Sequence, residues 1–187
     1  MYDDIKKAVE VLRAGGVILY PTDTVWGLGC DATNESAVKR IFEIKKRVDT
    51  KPMLVLVDNP TKIQAYVEEM PDIAWDLIEF SEKPLTIIYP DAKGFAKGLV
   101  ADDKSIGIRV TNEEFSKKLC GQFRKPIVST SANISGQDTP VNFSQIAADI
   151  KSKVDYIVNY RQNEFSKVNP SSIIKLGSGN LIEIIRA

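Results

Sequence analysis

The segment VILYPTDTVWGLG, residues 17–29, decides how the rest of the chain is read. VILY (17–20) is a short apolar run after the pair Gly15-Gly16, and it stops at Pro21, which reads as a buried strand. Ahead of it, Ile5, Ala8, Val9 and Leu12 recur at helical spacing, so a helix ends at the glycines and the strand begins. Beyond it, Thr22, Asp23 and Thr24 put three small polar side chains at the strand's end. Gly27 and Gly29 flank Leu28 in what reads as a turn, or as backbone able to approach a ligand closely. The segment also fits an ordinary turn closed by Asp and Thr bonds to the backbone.

The same alternation continues outward. Asn34 can cap a helix whose apolar stripe is Ala37, Val38, Ile41 and Ile44. MLVLV (53–57) is a second buried strand, followed by two short helices at Pro60–Val67 and Ile73–Phe80. LTIIY (85–89) and SIGIRV (105–110) are strands, and Asn112 can cap a helix running through Leu119. PIVST (126–130) is a strand, Ser144 starts another helix, and YIV (156–158), SIIKL (172–176) and LIEII (181–185) complete the strands. The last two are joined at GSGN as a hairpin. Strands alternating with helices, then strand pairs at the end, predict an α/β (α+β) chain with a mixed sheet. No internal repeat or linker divides residues 1–187, so one domain is expected.

Composition bounds the chemistry. The 187 residues are 43% apolar and 27% charged, with 25 basic and 25 acidic side chains. Attraction for an anion must therefore come from local clustering. There is no histidine, which excludes Ser-His-Asp and Cys-His catalysis and any His-ligated metal within the chain. Cys30 and Cys120 stand in no ligand spacing and read as free thiols. The charged helical start and the absence of a long apolar run point to the cytoplasm and away from a membrane.

Two further segments carry polar chemistry. In IFEIKKRVDTKPML (41–54), Lys45, Lys46, Arg47 and Lys51 gather within seven residues. Cations favour a helix C-terminus, where the macrodipole is negative, at about 0.3–1 kcal/mol each. That effect does not require Lys51, which lies past the helix, so a solvated helix end and an anion site both remain open. In IVSTSANISGQDTP (127–140), a strand runs into Ser129, Thr130, Ser131 and Asn133, whose side chains and backbone could hold a phosphate or carboxylate; an ST-turn is the other reading. Arg109, at a strand end, is normally a surface residue. No GxxxxGK[ST] loop or complete dinucleotide fingerprint occurs.

Taken in order, YPTDTVWGLGCDA, EIKKR with KPM four residues on, KPLTIIY, GIRV, STSANISG and PSSIIKL…IIR resemble the YrdC-like threonylcarbamoyl-AMP synthases, from about Gly16 to Arg186. The chain is similar to the short, single-domain form. Trp26 stands where that family usually has tyrosine, and SEKPLT (81–86) where it has PGPLT. The resemblance implies a twisted mixed sheet flanked by helices, around a large, positively lined concave cavity. It implies a nucleotidyltransferase that joins L-threonine, bicarbonate and ATP, with Mg²⁺, into threonylcarbamoyl-AMP and pyrophosphate. A downstream threonylcarbamoyl-transferase complex would then modify tRNA, giving N6-threonylcarbamoyladenosine.

Residue by residue, the resemblance gives Lys45 and Arg47 as catalytic, and Thr24, Ser129 and Ser171 as threonine-binding. Arg47, Lys51, Ser131, Asn133, Thr139 and Arg186 would line the ATP site. Arg109 should face the same cavity, its ligand being nucleotide or carboxylate; no resident metal ligand is expected. Fixed cations suit a reaction whose charge collects on phosphate oxygens. The competing expectations are a module that binds double-stranded RNA or tRNA without catalysis, and a relative that uses carbamoyl phosphate.

Overall fold

The computed structural model describes residues 1–47, 53–164, 170–177 and 181–187. The elements run in the order α1 (Tyr2–Arg13), β1 (Ile18–Tyr20), β2 (Gly27–Gly29), α2 (Glu35–Ile44), β3 (Leu54–Val57), a 3-10 helix (Pro60–Ala65), α3 (Asp72–Glu79), β4 (Leu85–Tyr89) and β5 (Ile106–Val110). Then follow α4 (Glu114–Phe123), β6 (Ile127–Ser131), a 3-10 turn (Phe143–Gln145), α5 (Ala148–Lys151), β7 (Tyr156–Ile157), β8 (Ser172–Leu176) and β9 (Ile182–Arg186). Among the described residues, nine strands form one sheet in the order β7-β1-β2-β6-β3-β5-β4-β8-β9. β1/β7, β3/β5 and β4/β8 are parallel and the other neighbours antiparallel, so the sheet is mixed, as the alternation of elements predicts.

The core follows the apolar periodicities. Helix α1 buries Ile5, Ala8, Val9 and Leu12, and α2 buries Ala37, Val38, Ile41 and Ile44, with Asn34 accepting from the Ala37 N–H at 3.1 Å as its cap. Helices α1 and α4 pack on one another, with α1 also against β1 and β7, and α4 against β3. Among the described residues no helix is long and apolar enough to cross a membrane. Cys30 and Cys120 are buried free thiols.

Several local readings change. GLG (27–29) is not a turn but strand β2, paired on both sides. Its glycines are required by packing, since a Cβ on Gly29 would lie 2.6 Å from Tyr20 Cε1. The segment after Asn59 is a 3-10 helix ending at Ala65. Helix α4 is capped by Glu113, whose carboxylate accepts from the Ser116 N–H at 2.7 Å, and not by Asn112. Ser144 lies inside a single 3-10 turn capped by Asn142, and the α-helix begins only at Ala148. The β8–β9 pair forms with Gly177 N–H donating to Leu181 O; the tip of the expected hairpin, 178–180, lies outside the described residues.

One buried carboxylate fixes the edge of the sheet to the first helix. Asp4 accepts from Tyr156 Oη at 2.5 Å, Asn159 N at 3.1 Å, Asn159 Nδ2 at 2.9 Å and Tyr160 N at 3.1 Å. Burial alone would raise its pKa, but the hydrogen bonds from Tyr156 and Asn159 outweigh burial and hold it below the ordinary value. An amide cannot accept all four bonds. Asp4→Asn is expected to lower stability by about 2 kcal/mol at neutral pH. Because the folded carboxyl has the lower pKa, its contribution is present above the ordinary pKa and lost as pH falls through the depressed one. Urea unfolding at pH 7 and at pH 3 should show the gap between the two proteins closing on acidification.

Candidate active site

Strand periodicity assembles the site. Gly27 lies opposite Ser131, Leu54 opposite Ser129, Leu56 opposite Arg109, and Ile173 opposite both Thr86 and Arg186. Side chains alternate along a strand, so Gly27, Ser129, Ser131, Leu54, Arg109 and Arg186 share one face of the sheet. On that face lies a cavity of about 500 Å³. Eight of the residues expected from the sequence line it: Thr24, Arg47, Arg109, Ser129, Ser131, Thr139, Ser171 and Arg186. Gly27 is part of its floor, where a Cβ would meet Thr130 O at 3.3 Å and Ser129 Oγ at 3.6 Å. Thr22, Val25, Leu54 and Val141 are also part of its wall.

Arg109 is buried, contrary to its reading as a surface residue, with 2% of it exposed. Its Nη2 lies 3.1 Å from Asp23 Oδ1 and donates to Thr24 Oγ1 at 3.5 Å. The ion pair is close but poorly aligned, leaving Asp23 Oδ1 and Arg109 Nε without hydrogen-bond partners. Burial pushes the Asp23 carboxyl above its ordinary pKa, opposed by the Arg109 guanidinium, and pushes Arg109 below its own, opposed by Asp23. Burying both charges would be costly without this pairing. Asp23 also borders a smaller cavity of about 110 Å³, lined by Ile78, Ile87, Ile108 and Val110.

On the neighbouring strands, Arg186 Nε donates to Ser171 O at 2.8 Å and Nη2 to Ser171 Oγ at 3.3 Å. Ser171 Oγ is 3.0 Å from Thr86 Oγ1. These contacts tie the N-terminal ends of β4 and β8 to the C-terminal end of β9. Arg47 faces Phe42 with its guanidinium 5.9 Å from the ring centroid, and its buried Nε meets no hydrogen-bond partner among the described residues.

Two expected residues stand behind the wall and not in it. Lys45 is buried, and its Nζ donates to Ser131 O at 2.5 Å and Asn133 O at 2.8 Å. Its own carbonyl accepts from the Ser135 N–H. The ammonium expected to meet a phosphate directly instead fixes the loop that carries Ser131. Asn133 Nδ2 donates to Ile134 O and Gln137 O, closing that loop on itself. Lys51 lies outside the described residues. Sequence reading missed Asp23 as the partner of Arg109; its position between two cavity-lining threonines was the available signal.

A fold with this face defines a family. The model of the Sua5, YciO and YrdC proteins, described as telomere recombination, matches residues 10–187, and the chain belongs to that family. It is similar to the threonylcarbamoyl-AMP synthase of Pseudoalteromonas translucida, at 37% identity over 83% of this chain and 84% of that protein. Among solved structures it resembles a variant of P. abyssi Sua5, with a TM-score of 0.86 and 28% identity over 97% of this chain. It also resembles P. abyssi Sua5 complexed with L-threonine, with a TM-score of 0.81 and 29% identity over 92% of this chain. The chain spans about half of those two Sua5 chains, 55% and 50%.

The Lys45 clamp makes a titratable prediction. Burial first, and then the nearby Arg47 charge, lower its pKa from 10.5 to about 8. The folded chain therefore gives up this proton before the unfolded chain does, so between those values the unfolded state binds more protons and stability rises with pH. Lys45→Met should cost about 1–3 kcal/mol at pH 7.5, by leaving two carbonyls without their donor. The stability gap to the parent protein should widen on going to pH 10, and denaturant midpoints at the two pH values measure it.

Proposed function

We propose that this chain forms threonylcarbamoyl-AMP and pyrophosphate from L-threonine, bicarbonate and ATP. The observation that carries the reading is one cavity in which hydroxyls at Thr24, Ser129 and Ser171 meet the guanidiniums of Arg47, Arg109 and Arg186. The name of the Pseudoalteromonas relative and the L-threonine complex of P. abyssi Sua5 support it.

In this reading the threonine ammonium first gives up a proton, the free amine adds to bicarbonate, water leaves, and a carbamate results. A carbamate oxygen attacks the α-phosphorus of ATP and pyrophosphate departs. Negative charge gathers on phosphate oxygens, so Arg47 and Arg186 stabilise it electrostatically. Ser131 and Thr139 donate to the same phosphates. Arg109 takes the threonine carboxylate, for which a planar guanidinium is suited, while Thr24, Ser129 and Ser171 hold the amino acid in place. Lys45 acts through the loop it fixes, and Lys51 belongs to the nucleotide side. Mg²⁺, bound to the triphosphate as part of the substrate, would add charge neutralisation beside Arg47 and Arg186. The work of the chain is then positioning and charge stabilisation, which histidine-free chemistry can supply.

The product is a mixed anhydride of a carbamic and a phosphoric acid, which water destroys. We infer that it passes to a threonylcarbamoyl transferase acting on tRNA, and that both work in the cytoplasm, where ATP and tRNA are found. A module that only binds RNA would need no such convergence of hydroxyls on a buried arginine.

Pyrophosphate release measured with ATP, bicarbonate and L-threonine tests the reading; release that does not depend on threonine would sink it. Arg47→Ala should raise the ATP requirement about tenfold or more, the loss of a charge-assisted hydrogen bond. Ser129→Ala should instead raise the threonine requirement several-fold and leave that for ATP nearly unchanged. The opposite pattern would reverse the assignment of the two ends of the cavity.

A further inference from the structure

Helix α4 begins in an unexpected way. Asn112 is among the residues that cap helices best, yet the chain uses the next residue, Glu113, which is not. The carboxylate has a second task. Glu113 Oε2 accepts from the Ser116 N–H at 2.7 Å, while Oε1 lies 3.3 Å from Arg161 Nη1. That same Nη1 donates to Thr22 O at 3.4 Å, and Ser116 Oγ donates to Pro21 O at 2.9 Å. Two consecutive carbonyls of the loop that carries Thr24 are thus held from outside the cavity, Pro21 O by the Ser116 hydroxyl and Thr22 O by Arg161, and Glu113 accepts from both of those residues.

Arg161 has a second peculiarity. Its φ is +67°, a left-handed conformation that costs an ordinary L-residue energy and that glycine adopts freely. A long charged side chain kept at such a position points to a constraint on the side chain. Its surroundings hold it there. The preceding residue, Tyr160, stacks on Phe115 of α4 with centroids 5.8 Å apart, and its N–H is bound by Asp4. Arg161 Nε donates to Glu164 Oε2 at 2.6 Å, which fixes the guanidinium from its other side.

We infer that Glu113 and Arg161 are positioning residues for the amino-acid end of the site: together they clasp the backbone of the Thr22–Thr24 loop to the start of α4, and so set the direction of the Thr24 hydroxyl. The clasp rests on the function proposed above for what it positions, but not for its existence. Neither residue touches a reacting atom in that scheme. Removing the clasp loosens the loop and weakens the grip on threonine, leaving the nucleotide end, built from Arg47, Ser131, Thr139 and Arg186, untouched.

Arg161→Gly separates this role from a merely structural one, because it deletes the side chain and relieves the backbone at once. The thermal midpoint should stay the same or rise. Amide hydrogen exchange in the peptide covering residues 20–28 should quicken about tenfold, and the threonine KM should rise about tenfold, each matching the loss of one charged hydrogen bond. The ATP KM should stay within about twofold, well below the loss of such a bond. Glu113→Gln should shift the same two readings less, and adding it to Arg161→Gly should change them no further. Unchanged exchange and unchanged threonine KM in Arg161→Gly would overturn the inference. So would a joint rise in both KM values with a lower thermal midpoint, since that is general loosening. If the parent protein releases no threonine-dependent pyrophosphate, the functional reading fails by itself. The exchange measurement then still decides the clasp: faster exchange supports it and unchanged exchange overturns it.

Discussion

Burying a cation is the constraint around which this molecule is arranged. An ammonium or guanidinium taken out of water must find charge or hydrogen-bond acceptors inside the protein, or its burial costs several kcal/mol. Among the described residues this happens twice, in two ways. Arg109 is met by a carboxylate from the loop after β1, which forces that loop across the end of the sheet. Lys45 is met by two peptide carbonyls from the loop after β6, which forces that loop against the end of α2. The two polar loops that border the cavity are therefore held in place by buried cations. The cavity between them is open because the neighbouring strands contribute Gly27 and serines where larger side chains would fill it.

The sheet supplies the rest of the order. Four elements distant in sequence bring their polar ends to one face only because β6 runs antiparallel to β2 and β3, while β8 runs parallel to β4. Gly27, Arg109, Ser129, Ser131 and Arg186 are held in place by lying within paired strands. Around the loop after β1 the contacts form a second layer, through Ser116, Glu113 and Arg161, which bond to the loop's backbone and to one another, with Glu164 holding Arg161 from its other side.

Much of this was legible in the sequence, for identifiable reasons. LTIIY and SIIKL became β4 and β8 residue for residue, since unbroken apolar runs between polar turns have few other uses. PTDT and STSAN stood out because clustered small polar residues after buried strands have no role in a core. What was hidden depended on partners that local pattern does not carry. GLG has a single side chain, Leu28, which gives no period to read, so β2 was invisible until Tyr20 and Ser131 appeared on either side of it. Arg109 looked superficial because its burial is set by Asp23, far away in sequence. Lys45 was rightly marked by its place beside an apolar stripe, but one sequence cannot tell whether an ammonium there faces a ligand or a carbonyl. Glu113, and not Asn112, caps α4, and its other carboxylate oxygen meets Arg161, a partner far away in sequence that no local pattern reveals.

The hairpin of β8 and β9 has a consequence for how the protein comes into being. Ser171 and Arg186 reach the cavity only after these last strands dock on the free side of β4, a partner left behind some eighty residues earlier in synthesis. A nascent or partly folded chain can bring together Thr24, Arg47 and Ser129, yet it faces them with empty water where the second cationic wall belongs. The second cationic wall of the cavity is thus added only when β8 pairs with β4 and β9 with β8.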